Sequence, residues 1–156
     1  MPKPLTVGVI SDTHGLLRPQ ALDALRGSDL IIHGGDVGDP ALLAPLRALA
    51  PLFVVRGNVD RGGWANALPM TALVDVGALT FYVLHNIAEL DLDPPTVGFA
   101  AVIYGHSHQP SIETRDGVLY LNPGSAGPRR FSLPVSVARV RVVEGALAPE
   151  LVTLEV

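Results

Sequence analysis

The chain has 156 residues, of which 48% are hydrophobic and 17% are charged, with a formal net charge of −4. This length suits one domain with a substantial core, and the composition excludes intrinsic disorder. The acidic balance argues against a nucleic-acid-binding surface, which normally carries a basic stripe. Because cysteine is absent, any bound metal must be held by nitrogen and oxygen ligands.

The first half of the chain alternates strand and helix. The predicted elements are a strand at 5–10, a helix from Pro19 to Gly27, a strand at 29–33, a helix at 41–49 and a strand at 52–56. Pro19 suits the first turn of a helix. Asp39 followed by Pro40 predicts an N-cap and a first-turn proline for the second helix.

The second half of the chain changes to hairpins. Strands are predicted at 71–76, 79–84, 101–104, 110–115, 118–121, 135–143 and 147–155, with one helical turn after Asp93. Gly77-Ala78 and Asp116-Gly117 are the hairpin turns. Strand–helix units followed by hairpins imply an α/β fold with two mixed sheets flanked by helices, a four-layer αββα sandwich. We expect residues 1–156 to form a single domain.

Five short polar motifs each follow one of the predicted strands. They are Ser11-Asp12-Thr13-His14, Gly34-Gly35-Asp36, Gly57-Asn58-Val59-Asp60, His85-Asn86 and Gly105-His106-Ser107-His108. One such motif by itself is commonly a turn. Five motifs in the same topological position instead predict one functional site, since open α/β sheets build their sites at the C-terminal ends of strands.

These motifs supply oxygen and imidazole ligands. The candidate metal ligands are Asp12, His14, Asp36, Asn58, His85, His106 and His108. Mn²⁺, Fe²⁺, Co²⁺ and Zn²⁺ accept such a mixture, whereas Mg²⁺ and Ca²⁺ prefer oxygen. We favour two Mn²⁺ ions, with Ni²⁺, Fe²⁺, Co²⁺, Zn²⁺ or Mg²⁺ as alternatives. Asp36 follows two glycines that allow close backbone approach, and it is the natural carboxylate bridge.

Two such ions predict phosphoester chemistry. Ions roughly 3.5–4 Å apart share a water and lower its pKa toward ~7. Two divalent ions with Asp12, Asp36 and one hydroxide leave a net positive site, which attracts an anionic phosphoester to an acidic protein.

As a set, the motifs D-x-H, G-D, G-N-x-D, a His after a strand, and G-H-x-H resemble those of the calcineurin-like metallophosphoesterases. The resemblance covers residues 5 to about 130, and the small size is most similar to the compact bacterial and archaeal phosphodiesterases of that superfamily. It implies the αββα fold and in-line attack on phosphorus by a metal-bridging hydroxide.

The resemblance also implies a role for each site residue. The first metal would be held by Asp12, His14, Asp36 and His108, and the second by Asp36, Asn58, His85 and His106. Asn58 would also contact a phosphate oxygen of the substrate. Asp60 would orient a ligand or water, so that Asp36, Asn58 and Asp60 are the predicted catalytic residues.

Two positions depart from the family pattern. Val59 stands where the protein phosphatases of this superfamily place a His that assists the leaving group. Because valine cannot donate that proton, we predict a preference for diesters, or for monoesters with good leaving groups. Ile87 stands where relatives commonly have the second His of an H-G-H motif. The segment between His85 and His106 is also short, which predicts a more open cleft.

Other polar residues near the motifs have simpler interpretations. His33 is predicted to be structural, because strand alternation points it away from Asp36. The turn 122–125 is likewise predicted to be structural. Any of five arginines could steer phosphate, although each taken alone is most simply a solvated charge: Arg18, Arg56, Arg61, Arg129 and Arg130.

The primary hypothesis is a metal-dependent phosphodiesterase acting on a small phosphoester substrate. One alternative is a non-catalytic interaction scaffold, since a retromer subunit that resembles these enzymes binds partners with the same fold. A second is a nuclease, although such relatives are larger and carry regions that grip DNA. The N-terminal sequence leaves no room for a signal peptide, and no apolar run reaches the ~20 residues of a membrane span. We therefore expect a cytoplasmic protein that contacts no membrane and can form a homo-oligomer.

Overall fold

The fold is built from strands joined by short helices over residues 3–156, the part of the chain that the computed structural model describes. The strands are β1 (Leu5–Ile10), β2 (Leu30–His33), β3 (Leu52–Val54), β4 (Thr71–Val76), β5 (Leu79–Leu84), β6 (Ala101–Ile103), β7 (Ser111–Arg115), β8 (Val118–Asn122), β9 (Ser136–Val143) and β10 (Ala146–Thr153). The helices are α1 (Pro19–Leu25), α2 (Leu43–Leu49), α3 (Gly63–Asn66) and α4 (Pro94–Val97). Single turns of 3-10 helix lie at Pro40–Leu42 and Ile87–Glu89.

The strands form two five-stranded mixed sheets. The first has the order β10-β9-β1-β2-β3, with β1, β2 and β3 parallel and β9 antiparallel to β1. The second has the order β4-β5-β6-β8-β7, with β5, β6 and β8 parallel and both edge strands antiparallel. Each sheet therefore contains neighbouring parallel strands, whose C-terminal ends meet at one edge of the sandwich.

Side-chain alternation divides each sheet between two apolar layers. In β1, Val7 and Val9 face the second sheet and pack in the core between the sheets with residues such as Phe81 and Leu121. Ile10 faces the other way and packs under α1 and α2. The period of two along a strand explains this division. Burial on both faces of β1 fixes the register that places the following loop.

The structure confirms the predicted two mixed sheets flanked by helices. The layer over the second sheet is thin, since α4 has 4 residues and the 3-10 turn before it has 3. Sequence analysis predicted neither α3 nor that 3-10 turn, because a single helical turn has no apolar periodicity to detect. β3 and β6 also end earlier than predicted, at Val54 and Ile103.

Candidate metal centre

All five polar motifs lie at the edge where the parallel strands end. Backbone hydrogen bonds hold their loops together: the amide of Asp12 donates to the carbonyl of Gly35 (3.0 Å), and that of His14 to Asp36 (2.9 Å). The amide of Gly105 donates to the carbonyl of His85 (3.0 Å). The loops after strands of both sheets are thus fixed relative to one another.

Six of the seven candidate ligands fall into two compact groups. In each group the candidate ligand atoms lie within 4.8 Å of one another. One group consists of Asp12, His14 and His108, and the other of Asp36, His85 and His106. The seventh candidate, Asn58, adjoins the second group, because its Oδ1 lies 3.0 Å from His85 Nε2 and 3.2 Å from His106 Nδ1.

The first group converges on one oxygen of Asp12. Its Oδ2 accepts hydrogen bonds from the Ser11 hydroxyl (2.7 Å) and the backbone amide of His106 (3.1 Å). Its Oδ1 is buried without a hydrogen-bond partner. That oxygen lies 3.7 Å from His14 Nε2 and 3.5 Å from His108 Nε2, and the two nitrogens are 3.2 Å apart. A buried carboxylate oxygen without a partner is costly, and a cation among these three atoms would satisfy it.

The second group is ordered around His85. Its Nδ1 lies 2.7 Å from the carbonyl of Gly34, which can only accept, so Nδ1 carries the proton in the neutral ring. The lone pair of Nε2 then faces two oxygens, Asp36 Oδ2 at 3.2 Å and Asn58 Oδ1 at 3.0 Å. A nitrogen lone pair opposed to carboxylate and amide oxygens requires a positive charge between them, either a proton or a metal ion.

Asp36 joins the two groups. Its Oδ2 lies 3.2 Å from His85 Nε2 and 3.5 Å from His14 Nε2. Its Oδ1 accepts a hydrogen bond from the backbone amide of Val59 (3.0 Å), which fixes the orientation of the carboxylate. One carboxylate oxygen therefore faces imidazoles of both groups.

The spacing of these atoms fits divalent ions. Two ligands about 2.0–2.2 Å from one ion, at angles between octahedral and tetrahedral, lie about 3.0–3.5 Å apart. The distances within the two groups run from 3.0 to 3.7 Å. Nitrogen and oxygen donors in this mixture suit Mn²⁺, Fe²⁺, Co²⁺ and Zn²⁺.

Backbone strain is concentrated in the same residues. Among non-glycine residues within 3–156, positive φ angles occur at Asp12, His14, Asp36, His106, His108, Asp116, Phe131 and Glu144. Five of these are candidate ligands, although such a conformation is uncommon for residues with a side chain. Strained residues persist where the surrounding structure requires them, typically at functional sites.

Three site residues have shifted pKa values. Burial raises the pKa of Asp36, but hydrogen bonds from His85 and the Val59 amide outweigh burial, so the pKa is lowered overall. Burial lowers the pKa of His85, yet its hydrogen bonds with Asp36 and Gly34 raise it above the ordinary value of 6.5. Burial is also the largest cause of the lowered pKa of His108, opposed by the charge of Asp12. Asp36 thus stays ionised, as a metal ligand must.

Asp60 lies apart from both groups. One of its carboxylate oxygens accepts hydrogen bonds from the amides of Val37 (3.2 Å) and Gly57 (2.9 Å), and the other accepts from Gly38 (2.9 Å). Its side chain therefore fastens the loop after β2 to the loop after β3. These are the loops that present Asp36 and Asn58.

His33 is fully buried beneath the site. Its Nδ1 accepts from the Gly35 amide (3.0 Å), so the proton lies on Nε2, which is 3.0 Å from the Thr13 hydroxyl. Thr13 in turn donates to the carbonyl of Val37 (2.9 Å). A neutral His33 therefore links the first two loops, and burial lowers its pKa to about 4.

Sequence analysis gave no role to several supporting residues. Ser11 orients Asp12, and Ser125 donates to the Asp12 carbonyl (2.9 Å). Asn122 donates from Nδ2 to the carbonyl of Gly105 (3.1 Å) and so holds the loop that contains His106. The detectable signal was a polar residue at the end of each strand, but its bonding partner lies far away in sequence.

None of the helices described over residues 3–156 has the length and apolar character that crossing a bilayer requires.

Comparison with known proteins gives consistent results. The family model of the calcineurin-like phosphoesterase superfamily domain matches residues 5–145. A probable metallophosphoesterase of Methanothermobacter thermautotrophicus is 33% identical over 160 residues, which cover 95% of this chain and 92% of that protein. A crystal structure of a predicted phosphoesterase from Streptococcus pneumoniae is 26% identical, with a TM-score of 0.77 over 98% of this chain and 91% of that chain.

The fold is also similar to that of Vps29 from Chaetomium thermophilum. That structure is 21% identical, with a TM-score of 0.77 over 96% of this chain and 98% of that chain. At this identity the likeness concerns the fold alone. Because the family model spans most of the chain and a relative of similar length is a third identical, this protein belongs to the calcineurin-like phosphoesterase superfamily.

Proposed function

We propose that the protein is a binuclear metal-dependent phosphodiesterase and that residues 1–156 act as a single domain. In this proposal Asp12, His14, Asp36 and His108 hold one ion, and Asp36, Asn58, His85 and His106 hold the other. Mn²⁺ is the favoured ion, with Ni²⁺, Fe²⁺, Co²⁺, Zn²⁺ and Mg²⁺ as alternatives. The metallophosphoesterase family supports the hydrolase activity, whereas the ion count and the preference for diesters are proposed here.

The position of Asp36 Oδ2 is the observation that carries this proposal. It lies within 3.5 Å of an imidazole nitrogen in each group. A carboxylate oxygen in that position can serve both groups, so that two ions would share it. Two separate metal sites would have no need for a common ligand.

The side chains around the two groups have complementary tasks. When bound, the two ions would lower the pKa of a shared water and neutralise charge on the phosphoryl oxygens. Asn58, whose side chain is at the exposed side of the second group, would contact a phosphate oxygen. Val59 directs its amide to Asp36, and its side chain is 41% exposed and has no proton to donate. The leaving group must therefore depart without help from this position, which favours diesters with good leaving groups.

The test is hydrolysis of bis-p-nitrophenyl phosphate beside p-nitrophenyl phosphate. Metal-stripped protein is titrated with Mn²⁺, Ni²⁺, Zn²⁺ and Mg²⁺, and Asp36→Asn and His108→Ala are compared with wild type. Asp23→Asn is a matched control, because Asp23 is an exposed carboxylate on α1. We expect Mn²⁺-dependent turnover of the diester that both site variants abolish and the control retains.

Absence of turnover with every metal would refute the enzyme and favour the scaffold alternative. DNA affinity that falls steeply with salt would instead favour the nuclease. The small phosphoester substrate, the cytoplasmic location and the homo-oligomer remain predictions.

A further inference from the structure

A cleft opens beside the second group of candidate ligands. Its volume is about 280 Å³, and Asn58, His85 and His106 form one of its walls. This volume is near the lower limit of small-molecule sites, which span ~300–1,000 Å³. A phosphoryl group at the candidate metal centre would leave room in this cleft for one small organic group.

Arg56 lines the wall of this cleft away from the histidines. Its Nε and Nη2 donate to the sulfur of Met70 (3.2 and 3.1 Å), and its Nη1 donates to Asn66 Oδ1 (3.1 Å). Thioether sulfur is a weak acceptor, and no carboxylate within residues 3–156 lies at ion-pair distance from Arg56. The guanidinium is thus oriented by neutral groups and keeps donors for a ligand.

The remaining cleft lining is mixed. Tyr82 and Leu84 provide apolar surface, and Glu89 and Asp91 provide exposed carboxylates. The two carboxylates outnumber the one guanidinium, so the cleft does not attract a second anionic group. Carboxylates and a guanidinium together match hydroxyl groups, which both donate and accept hydrogen bonds.

We propose that this cleft binds the organic ester group of the substrate, an uncharged hydroxylated group of nucleoside or monosaccharide size, and that Arg56 positions it. This inference rests on the proposed function, because the phosphoryl group must lie at the candidate metal centre. Arg56 then acts on the part of the substrate beyond phosphorus. Its contribution should be absent for inorganic phosphate, which does not extend into the cleft.

The test is calorimetric binding of thymidine 5′-monophosphate and of inorganic phosphate to Mn²⁺-loaded protein. We expect the nucleotide to bind more tightly than phosphate in the wild type. In Arg56→Gln we expect nucleotide affinity to fall about tenfold or more, the scale of one lost charge-assisted hydrogen bond, with phosphate affinity unchanged. Arg61→Gln is the matched control, because Arg61 is an exposed arginine in the following loop and does not line the cleft.

Three results would overturn the proposal. Equal weakening of nucleotide and phosphate in Arg56→Gln would place Arg56 at the phosphoryl group or in folding. Unchanged nucleotide affinity would exclude the contact. Tighter binding of thymidine 3′,5′-bisphosphate than of the monophosphate would show that the cleft accepts a second anion. Diester hydrolysis by the same preparations separates the two proposals: an active enzyme with any of these results refutes only the cleft assignment.

Discussion

Replacing Gly57 with alanine should damage both stability and metal binding. A Cβ at Gly57 would overlap Oδ1 and the backbone nitrogen of Asp36, and it would lie 2.8 Å from the Asp36 Cα. Ordinary contacts begin at 3.4 Å, so the two backbones must separate by about 0.6 Å (3.4 − 2.8) to accommodate the methyl group. The movement would displace the carboxylate that faces both ligand groups.

The expected loss of unfolding free energy is about 3 kcal/mol, at the upper end of the range for overpacking because the clash is with backbone. For a protein of this size, that loss lowers Tm by roughly 6–12 °C. Thermal unfolding of metal-free protein measures this change, and calorimetric titration with Mn²⁺ measures the accompanying loss of affinity.

Gly63→Ala is the matched control for Gly57→Ala. A Cβ at Gly63 has no heavy atom within 4 Å, and this glycine begins α3. Alanine there should be neutral, or stabilising by up to ~1 kcal/mol. The steric argument is wrong if Gly57→Ala unfolds with Gly63→Ala and binds Mn²⁺ equally well.

Three further predictions concern His33, Asp60 and Val59. Because burial lowers the pKa of His33 from 6.5 to about 4, its contribution to stability is complete above pH 6.5 and is lost as the pH falls toward 4; this loss is roughly 3 kcal/mol. Denaturation of metal-free protein against pH should show that component in the wild type and not in His33→Gln. Asp60→Asn should lose about 1–3 kcal/mol, since an amide nitrogen must face a backbone amide, and Mn²⁺ affinity should fall with it; normal stability with abolished turnover would instead indicate direct catalysis by Asp60. Val59→His should raise kcat on phenyl phosphate at least ~10-fold by general-acid catalysis with little effect on bis-p-nitrophenyl phosphate, and equal rates before and after the change would contradict the assigned role.

Local patterns were sufficient for most of the architecture. Period-two alternation and hairpin turns such as Asp116-Gly117 located the strands, because these signals act over a few residues. The same logic located the polar motifs at strand ends. It could not detect α3, whose 4 residues are too short for a helical period.

The sequence by itself determined the kinds of ligand present and their place after five strands. It left open which of them meet: His14 and His108 are 94 positions apart, yet their Nε2 atoms lie 3.2 Å from each other. Only the packing of the two sheets places Asp36 Oδ2 between the groups and Asp60 on backbone amides. Only that packing separates Arg56, which lines the cleft, from Arg61, which does not. The physical reason is that short-range patterns set backbone conformation, whereas distances between loops depend on side-chain packing in a shared core.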